Sequence, residues 1–218
     1  IVEYLEIGHK DRSITTLPMS YTYGLSIINS HMYAGASMIF TNKTLVQKEF
    51  WQQLKTHNAT SFGGVPFTYE MLNRLKFFKM DLPSIKVMTQ AGGRLTTELQ
   101  KKFALYAEET GKRFYVMYGQ TEATARMSYL PFKKSLEKCG SIGVAIPNGK
   151  FFLTNEKNEK ITDCNTVGEL GYIGKNVSLG YAEEANDLAI GDENHGVLLT
   201  GDMAKVDEDG FYWLVGRK

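Results

Sequence analysis

The segment Tyr118-Gly119-Gln120-Thr121-Glu122-Ala123 gathers several chemically useful groups into one short stretch. It follows the apolar pair Val116-Met117 and so reads as the loop beyond the end of a buried strand. Tyrosine offers a flat face on which a purine can lie. Glycine lets a ligand come close to the backbone. Threonine offers a neutral hydroxyl to a phosphate oxygen, and glutamate is a hard oxygen ligand suited to Mg²⁺. The same residues also read as a plain strand end running into a helix, with Thr121 as the N-cap. Taken alone they leave both readings open.

What must position them is a repeating strand–helix pattern. Strand-like runs appear at Ser13–Leu17, Ala36–Phe40, Thr60–Gly63, Lys86–Gln90 and Arg113–Met117. Helical patterns lie between them: Gly24–Tyr33, Val46–His57 with Val46, Phe50 and Leu54 four apart, Pro66–Leu75, and Thr97–Thr110 with Leu99, Phe103 and Ala107 on one face. Pro66 suits a first helical position, and Gly111 suits a C-terminal cap. Such alternation with short connections predicts an α/β fold, a parallel sheet with crossover helices. Ligands on such sheets bind beyond the carboxyl ends of the strands. The segments to inspect are therefore Tyr21–Gly24, Gly63–Pro66, Ala91–Leu95 and Tyr118–Glu122.

After Cys139 the texture changes to short alternating runs at Phe151–Leu153, from Lys160, Val167–Ile173, Ala204–Val206 and Phe211–Val215. Asp207-Glu208-Asp209-Gly210 is a hairpin turn signal. This predicts a small antiparallel β module, with a boundary near Gly140: residues 1–140 as an α/β subdomain, residues 141–218 as an antiparallel one.

Composition narrows the function classes. The 218 residues carry a net charge of +1, which argues against a binder of nucleic acid that works by phosphate neutralisation. No apolar run approaches the roughly 20 residues of a membrane span, and nothing resembles a signal peptide. Cys139 and Cys164 lack metal-ligand spacing and read as free thiols of a reducing cytoplasm. The four histidines have no partner at metal spacing. A dinucleotide-binding Gly-x-Gly-x-x-Gly turn and a Walker-type phosphate loop are both missing.

Further motifs follow in order: Gly168-Glu169-Leu170, Gly174, Gly180-Tyr181, Leu199-Thr200-Gly201-Asp202, and Asp209-Gly210-Phe211 leading to Gly216-Arg217. Together with Tyr118–Glu122 this set resembles the adenylate-forming superfamily, which holds acyl-CoA synthetases, amino-acid adenylation domains and luciferases. The resemblance runs from Leu17 to Lys218. It implies that Tyr118 stacks on adenine, Thr121 holds the α-phosphate and Glu122 binds Mg²⁺. It also implies that Gly119 and Gln120 lie along the nucleotide, while Asp202 and Arg217 reach the ribose. Ala91-Gly92-Gly93-Arg94 matches the loop against adenine, with Gly92, Gly93 and Arg94 as contacts. Gly64-Val65-Pro66 matches the acyl-pocket turn. In Leu17–Leu25, Tyr21 stands where acyl-CoA synthetases often carry histidine. No acid stands nearby to pair with an ammonium, and an unpaired ammonium is costly to bury. A fatty, aryl or other simple carboxylic acid is therefore expected rather than an α-amino acid.

The implied activity is that of an AMP-forming acid–thiol ligase of the cytoplasm. It would activate the acid with ATP and Mg²⁺ as an acyl-adenylate, then pass it to CoA or to the phosphopantetheine of an acyl or peptidyl carrier protein. An amino-acid-activating domain and a non-catalytic AMP-binding module of the same fold remain as alternatives. The family's phosphate loop and its small C-terminal domain have no counterpart here. Both ends read as cut from a longer protein, and the isolated chain is expected to be inactive.

Overall fold

The computed structural model describes residues 1–218. Two compact units emerge, Ile1–Met117 with Leu130–Gly140, and Tyr118–Tyr129 with Ser141–Lys218. The segment Tyr118–Tyr129 thus clusters with the second unit, although the sequence places it in the first. The reason lies in its hydrogen bonds, given below.

The first unit begins with a short helix α1 (Val2–Leu5). Strands and helices then alternate: β1 (Arg12–Ile14), α2 (Thr22–Tyr33), β2 (Ser37–Ile39), α3 (Lys48–Thr56), β3 (Ser61–Gly64), α4 (Pro66–Arg74), β4 (Val87–Gln90), α5 (Thr97–Glu109) and β5 (Arg113–Tyr118). The five strands lie in the order β2-β1-β3-β4-β5, and the pairs β1–β2, β1–β3, β3–β4 and β4–β5 are all parallel. Every residue of β3 and β4 is buried, as expected for central strands covered on both faces.

Local signals set most boundaries. Pro66 opens α4 in the first turn. The Thr96 hydroxyl accepts from the Leu99 N–H and caps α5. Gly111 takes φ +65 just past that helix, and the Lys112 N–H closes back onto the Ala107 carbonyl at 2.8 Å. The stripe Leu99, Phe103, Ala107 is buried as its spacing predicts. One start differs. Helix α3 begins at Lys48, so Val46 precedes it and is exposed, while Phe50 and Leu54 alone reach the core. That core is largely aromatic: Tyr69 meets Phe103 edge-on at 4.8 Å between centroids, and Phe77 packs on Phe62 and Phe103.

In the second unit, β6 (Ser128–Leu130) pairs antiparallel with β7 (Val144–Ala145). A separate antiparallel sheet holds β8 (Lys150–Thr154), β9 (Lys160–Ile161), β10 (Gly168–Ile173), β11 (Val197–Val206) and β12 (Tyr212–Arg217), in the order β12-β11-β10-β8-β9. The expected turn at Asp207–Gly210 joins β11 to β12. The Asp207 carboxylate accepts from the Asp209 and Phe211 N–H groups, and Gly210 takes φ +81. Strand β11 is longer than its sequence suggests, because it runs back through Leu199-Thr200-Gly201-Asp202. Buried Met127, Phe151, Leu170, Tyr172 and Ala204 form the core beneath it. No helix is long and apolar enough to cross a membrane.

Candidate functional site

Strand pairing brings the first two residues together. In the β11–β12 ladder Asp202 stands directly opposite Arg217. The ladder slips by one residue between Met203 and Ala204, a β-bulge. The Asp202 side chain is mostly buried, whereas Arg217 is largely exposed, and their closest atoms lie 3.9 Å apart. That separation is the outer limit of an ion pair, so the guanidinium is not locked onto the carboxylate. Beside it, the Lys218 N–H donates to the Gly201 carbonyl (2.8 Å), and Lys218 Nζ reaches the buried Glu169 carboxylate (2.6 Å). These contacts anchor the end of β12.

Residues from the end of β5 complete the cluster. The Tyr118 hydroxyl donates to Asp202 Oδ2 at 2.6 Å. Gln120 Nε2 donates to the same oxygen at 3.2 Å and to the Thr200 carbonyl at 2.9 Å. The Thr200 hydroxyl donates to the Leu170 carbonyl (2.8 Å) and accepts from the Asp202 N–H (3.1 Å), which fixes the backbone under the carboxylate. Burial first, and then the hydrogen bond to Asp202, pushes the Tyr118 phenol well above its ordinary value. Tyr118 is therefore a neutral donor at any physiological pH. One Asp202 oxygen is oriented from two sides before any ligand arrives.

The chain between Tyr118 and Met127 folds back on itself. The Met127 N–H meets the Tyr118 carbonyl (2.9 Å), and the Ala123 and Ala125 N–H groups both donate to the Gln120 carbonyl. At Gly119 a Cβ would collide with the Ala125 carbonyl, so only glycine fits there. Thr121–Ala123 form a single 3₁₀ turn whose cap residue is Gln120, without a side-chain cap bond. Thr121 is thus the first residue of the turn and not its N-cap. Thr124 and Ala125 both take left-handed φ, 56° and 70°. For side chains with a Cβ each such residue costs about 1–2 kcal/mol. The offset comes from Asn176. Its Nδ2 donates to the Ala123 carbonyl (2.7 Å) and to the Arg126 carbonyl (3.1 Å), its Oδ1 accepts from the Tyr172 hydroxyl (2.8 Å), and its own carbonyl accepts from the Thr124 hydroxyl (2.6 Å). These bonds, together with Ser178 N–H to the Glu122 carbonyl (2.7 Å), explain why Tyr118–Tyr129 belongs to the second unit.

Glu122 projects from this turn. Its Oε1 accepts from the Tyr181 hydroxyl at 2.7 Å, and that bond is the main reason its carboxyl is held below the ordinary value. Thr121 beside it is exposed. Glu122 belongs to no cluster of three or more metal-capable side chains.

The remaining predicted residues meet within the first unit. Tyr21 precedes α2 as its cap residue. A Cβ at Gly92 would strike the Tyr21 hydroxyl and come within 3.1 Å of Val65 Cγ1, and one at Gly93 would lie 3.1 Å from Pro66. Tyr21, Val65, Pro66 and the Gly92–Gly93 turn therefore share one corner beyond the carboxyl ends of β3 and β4. Gly64 is buried at the end of β3, where a Cβ would sit 2.6 Å from Thr68. Arg94 is exposed at the end of the turn. The buried Gln90 supports this loop from below by donating to the Gly93 carbonyl at 2.9 Å. In the same unit a cavity of about 570 Å³ is lined mainly by apolar groups, among them Leu17, Pro18, Leu45, Phe67 and Met71.

A profile described as AMP-binding enzyme matches residues 1–182. The chain belongs to the AMP-binding enzyme family. Among curated relatives, a 4-coumarate–CoA ligase-like protein of Arabidopsis thaliana is 26% identical over 96% of this chain and 37% of its own length. A long-chain-fatty-acid–CoA ligase of Bacillus subtilis is 28% identical over 95% of this chain and 36% of its own. The chain thus spans little more than a third of the length of these family members. The solved structure of O-succinylbenzoate coenzyme A synthetase from Bacillus subtilis, in complex with ATP and magnesium ion, superposes over 99% of this chain and 43% of its own, with TM-score 0.82 and 23% identity. At that identity the likeness speaks for the fold.

Sequence reasoning missed three contributors, namely Asn176, Tyr181 and Gln90. Asn176 stands out in the sequence only as part of an Asn-Val-Ser triplet, and Tyr181 only as part of Gly180-Tyr181. Their partners between Glu122 and Arg126 lie about fifty to sixty positions away. No local pattern announces a contact of that range.

Proposed function

We propose that this chain is the nucleotide- and acyl-holding part of a longer AMP-forming acid–thiol ligase. The observation that carries the reading is Asp202, a mostly buried carboxylate oriented by Tyr118 and Gln120, facing Arg217 across a β-ladder. Family membership and the CoA ligase names of its relatives support it. A vicinal diol matches a carboxylate with one engaged and one less engaged oxygen, because the two hydroxyls can share its remaining lone pairs. Ribose is the diol of an adenylate. Arg217 is close enough to join and free enough to move. The Tyr118 ring would cover the purine, the exposed Thr121 hydroxyl would meet the α-phosphate, and Gly119 would let the nucleotide pass close to the backbone.

A Mg²⁺ site with a single protein carboxylate is chemically reasonable here. Mg²⁺ in nucleotide sites commonly keeps several waters and takes only one or two carboxylates besides the phosphates. Glu122 fits: it is accessible, ionised, and has one oxygen beyond the one held by Tyr181. When bound, the metal would supply charge neutralisation for the polyphosphate. The chain's own residues bind and orient. They would hold ATP so that the acid carboxylate attacks the α-phosphorus in line, forming the acyl–phosphate bond as the bond to pyrophosphate breaks. CoA, or a carrier phosphopantetheine, would then take the acyl group as thioester and release AMP.

The acid is a simple one. Tyr21, Gly64, Val65 and Pro66 frame its carboxyl end with no charged group among them, which does not suit an ammonium. The nearby apolar cavity suits a fatty or aryl chain. The two unpaired cysteines fit a reducing, cytoplasmic setting.

The test is acid-dependent ATP–pyrophosphate exchange by the full-length ligase across fatty, aryl and amino acids. Exchange is expected with a fatty or aryl acid. Silence across the panel, with AMP still bound, would replace the ligase reading with that of a non-catalytic AMP-binding protein. On the active acid, Tyr21→Ala is expected to raise KM for the acid about tenfold or more while KM for ATP moves less than threefold, since the lost ring lines the acyl corner, whereas the Gly92–Gly93 turn beside it keeps its support from Gln90. Equal losses for both substrates would remove Tyr21 from the acyl site.

A further inference from the structure

We propose that Tyr181 is a positioning residue for the metal carboxylate, holding Glu122 in the orientation that presents its second oxygen to Mg²⁺. The inference rests on the reading of Glu122 given above.

Tyr181 lies on the long loop between β10 and β11. The loop is closed at its neck by Gly174 N–H to the Gly196 carbonyl (3.0 Å). Further along, Glu193 N–H meets the Leu179 carbonyl (2.7 Å) and Asn194 Nδ2 meets the Ser178 carbonyl (2.8 Å). The loop thus has a fixed stem. From that stem, two residues three positions apart reach Glu122. Ser178 donates to its backbone carbonyl and Tyr181 to its carboxylate, both at 2.7 Å. One contact fixes where the residue is, and the other fixes where its charge points.

Burial does not explain Tyr181. Its side chain is 75% exposed, so little apolar area holds it in place. Its ring belongs to no aromatic pair described above. The hydroxyl–carboxylate bond is the specific feature of its position. An unrestrained glutamate side chain must surrender rotamer freedom when it binds a cation. A donor already seated on Oε1 removes part of that cost. Because the donor is a neutral hydroxyl, it brings no positive charge to repel the metal.

A Tyr181→Phe substitution removes the hydroxyl and keeps the ring. The measurement is Mn²⁺ binding to the full-length ligase with ATP present, followed by electron paramagnetic resonance, alongside calorimetric AMP binding without metal. Half-saturation by Mn²⁺ is expected to rise about tenfold in Tyr181→Phe, within the range of one hydrogen bond to a charged group. Metal-free AMP affinity is expected to stay within twofold. Glu122→Gln is the reference and is expected to weaken Mn²⁺ binding more. Unchanged Mn²⁺ affinity in Tyr181→Phe, with Glu122→Gln impaired, overturns the role of Tyr181 and leaves the metal role of Glu122 standing. Unchanged affinity in both overturns the metal assignment itself. A parallel loss of metal-free AMP binding in Tyr181→Phe would mean that the hydroxyl merely holds the loop together, and would equally overturn the proposal.

Discussion

Replacing Glu122 with glutamine is expected to cut acid-dependent ATP–pyrophosphate exchange about a hundredfold, which corresponds to roughly 2.7 kcal/mol of transition-state stabilisation. Metal-free AMP binding should change by no more than threefold. The substitution is nearly isosteric, and the amide oxygen can still accept from the Tyr181 hydroxyl, so the 3₁₀ turn at Thr121–Ala123 has no reason to shift. What disappears is the negative charge. AMP, which lacks the β- and γ-phosphates, depends little on that charge. ATP in the transition state depends on it most, because negative charge is moving onto pyrophosphate. The split between exchange and AMP binding is therefore the informative quantity. A similar fall in both would mean that Glu122 shapes the turn instead of serving the metal. No fall in either would remove it from the site.

The second large effect is structural. Asn176→Ala is expected to destabilise the protein by about 3 kcal/mol, measured by urea unfolding with the slope m unchanged. Alanine strands several groups at once. The fully buried Tyr172 hydroxyl loses its acceptor, and the Ala123 and Arg126 carbonyls lose their donor. Each buried group that loses such a partner costs up to about 1–3 kcal/mol, less where water or a shifted neighbour can substitute. The left-handed pair Thr124–Ala125 also loses the side chain that helps hold it. Asn176→Asp should be no rescue, since a carboxylate keeps the acceptor for Tyr172 but offers no donor to the two carbonyls. Loss below 1 kcal/mol would mean that the Tyr118–Met127 reversal is held by its own backbone bonds.

These expectations show unevenly in the sequence. The parallel sheet was legible because strand and helix periods alternate over short distances, and because Pro66, Thr96 and Gly111 mark helix ends by local chemistry. Val46 misled because its spacing from Phe50 mimics a helical stripe, while Thr44–Gln47 form a turn ahead of α3. The length of β11 was hidden for a similar reason. Thr200-Gly201-Asp202 looks like a turn, with a glycine at φ +70 and an acid, yet it sits within a strand. Tyr118, Asp202 and Arg217 could be named from motif order alone. That the Tyr118 hydroxyl and the Gln120 amide both close on Asp202 could not, because the contact spans more than eighty residues. Likewise Asn176 and Tyr181 act only after the chain has folded back on the Tyr118–Met127 turn.

The bulge between Met203 and Ala204 gives the meeting of Asp202 and Arg217 an arithmetic basis. From the hairpin turn outward, Val206 faces Tyr212, Lys205 faces Trp213 and Ala204 faces Leu214. Continued without interruption, that count would set Gly216, which has no side chain, opposite Asp202. The slip skips Val215 and delivers Arg217 instead. The pairing is therefore written in the number of residues between turn and bulge as much as in their identity. Many substitutions along this hairpin can preserve the count, whereas the gain or loss of a single residue between positions 203 and 217 changes which side chain faces the carboxylate, even in a protein that still folds. For a lineage of such chains, the hairpin should accumulate replacements freely and insertions hardly at all.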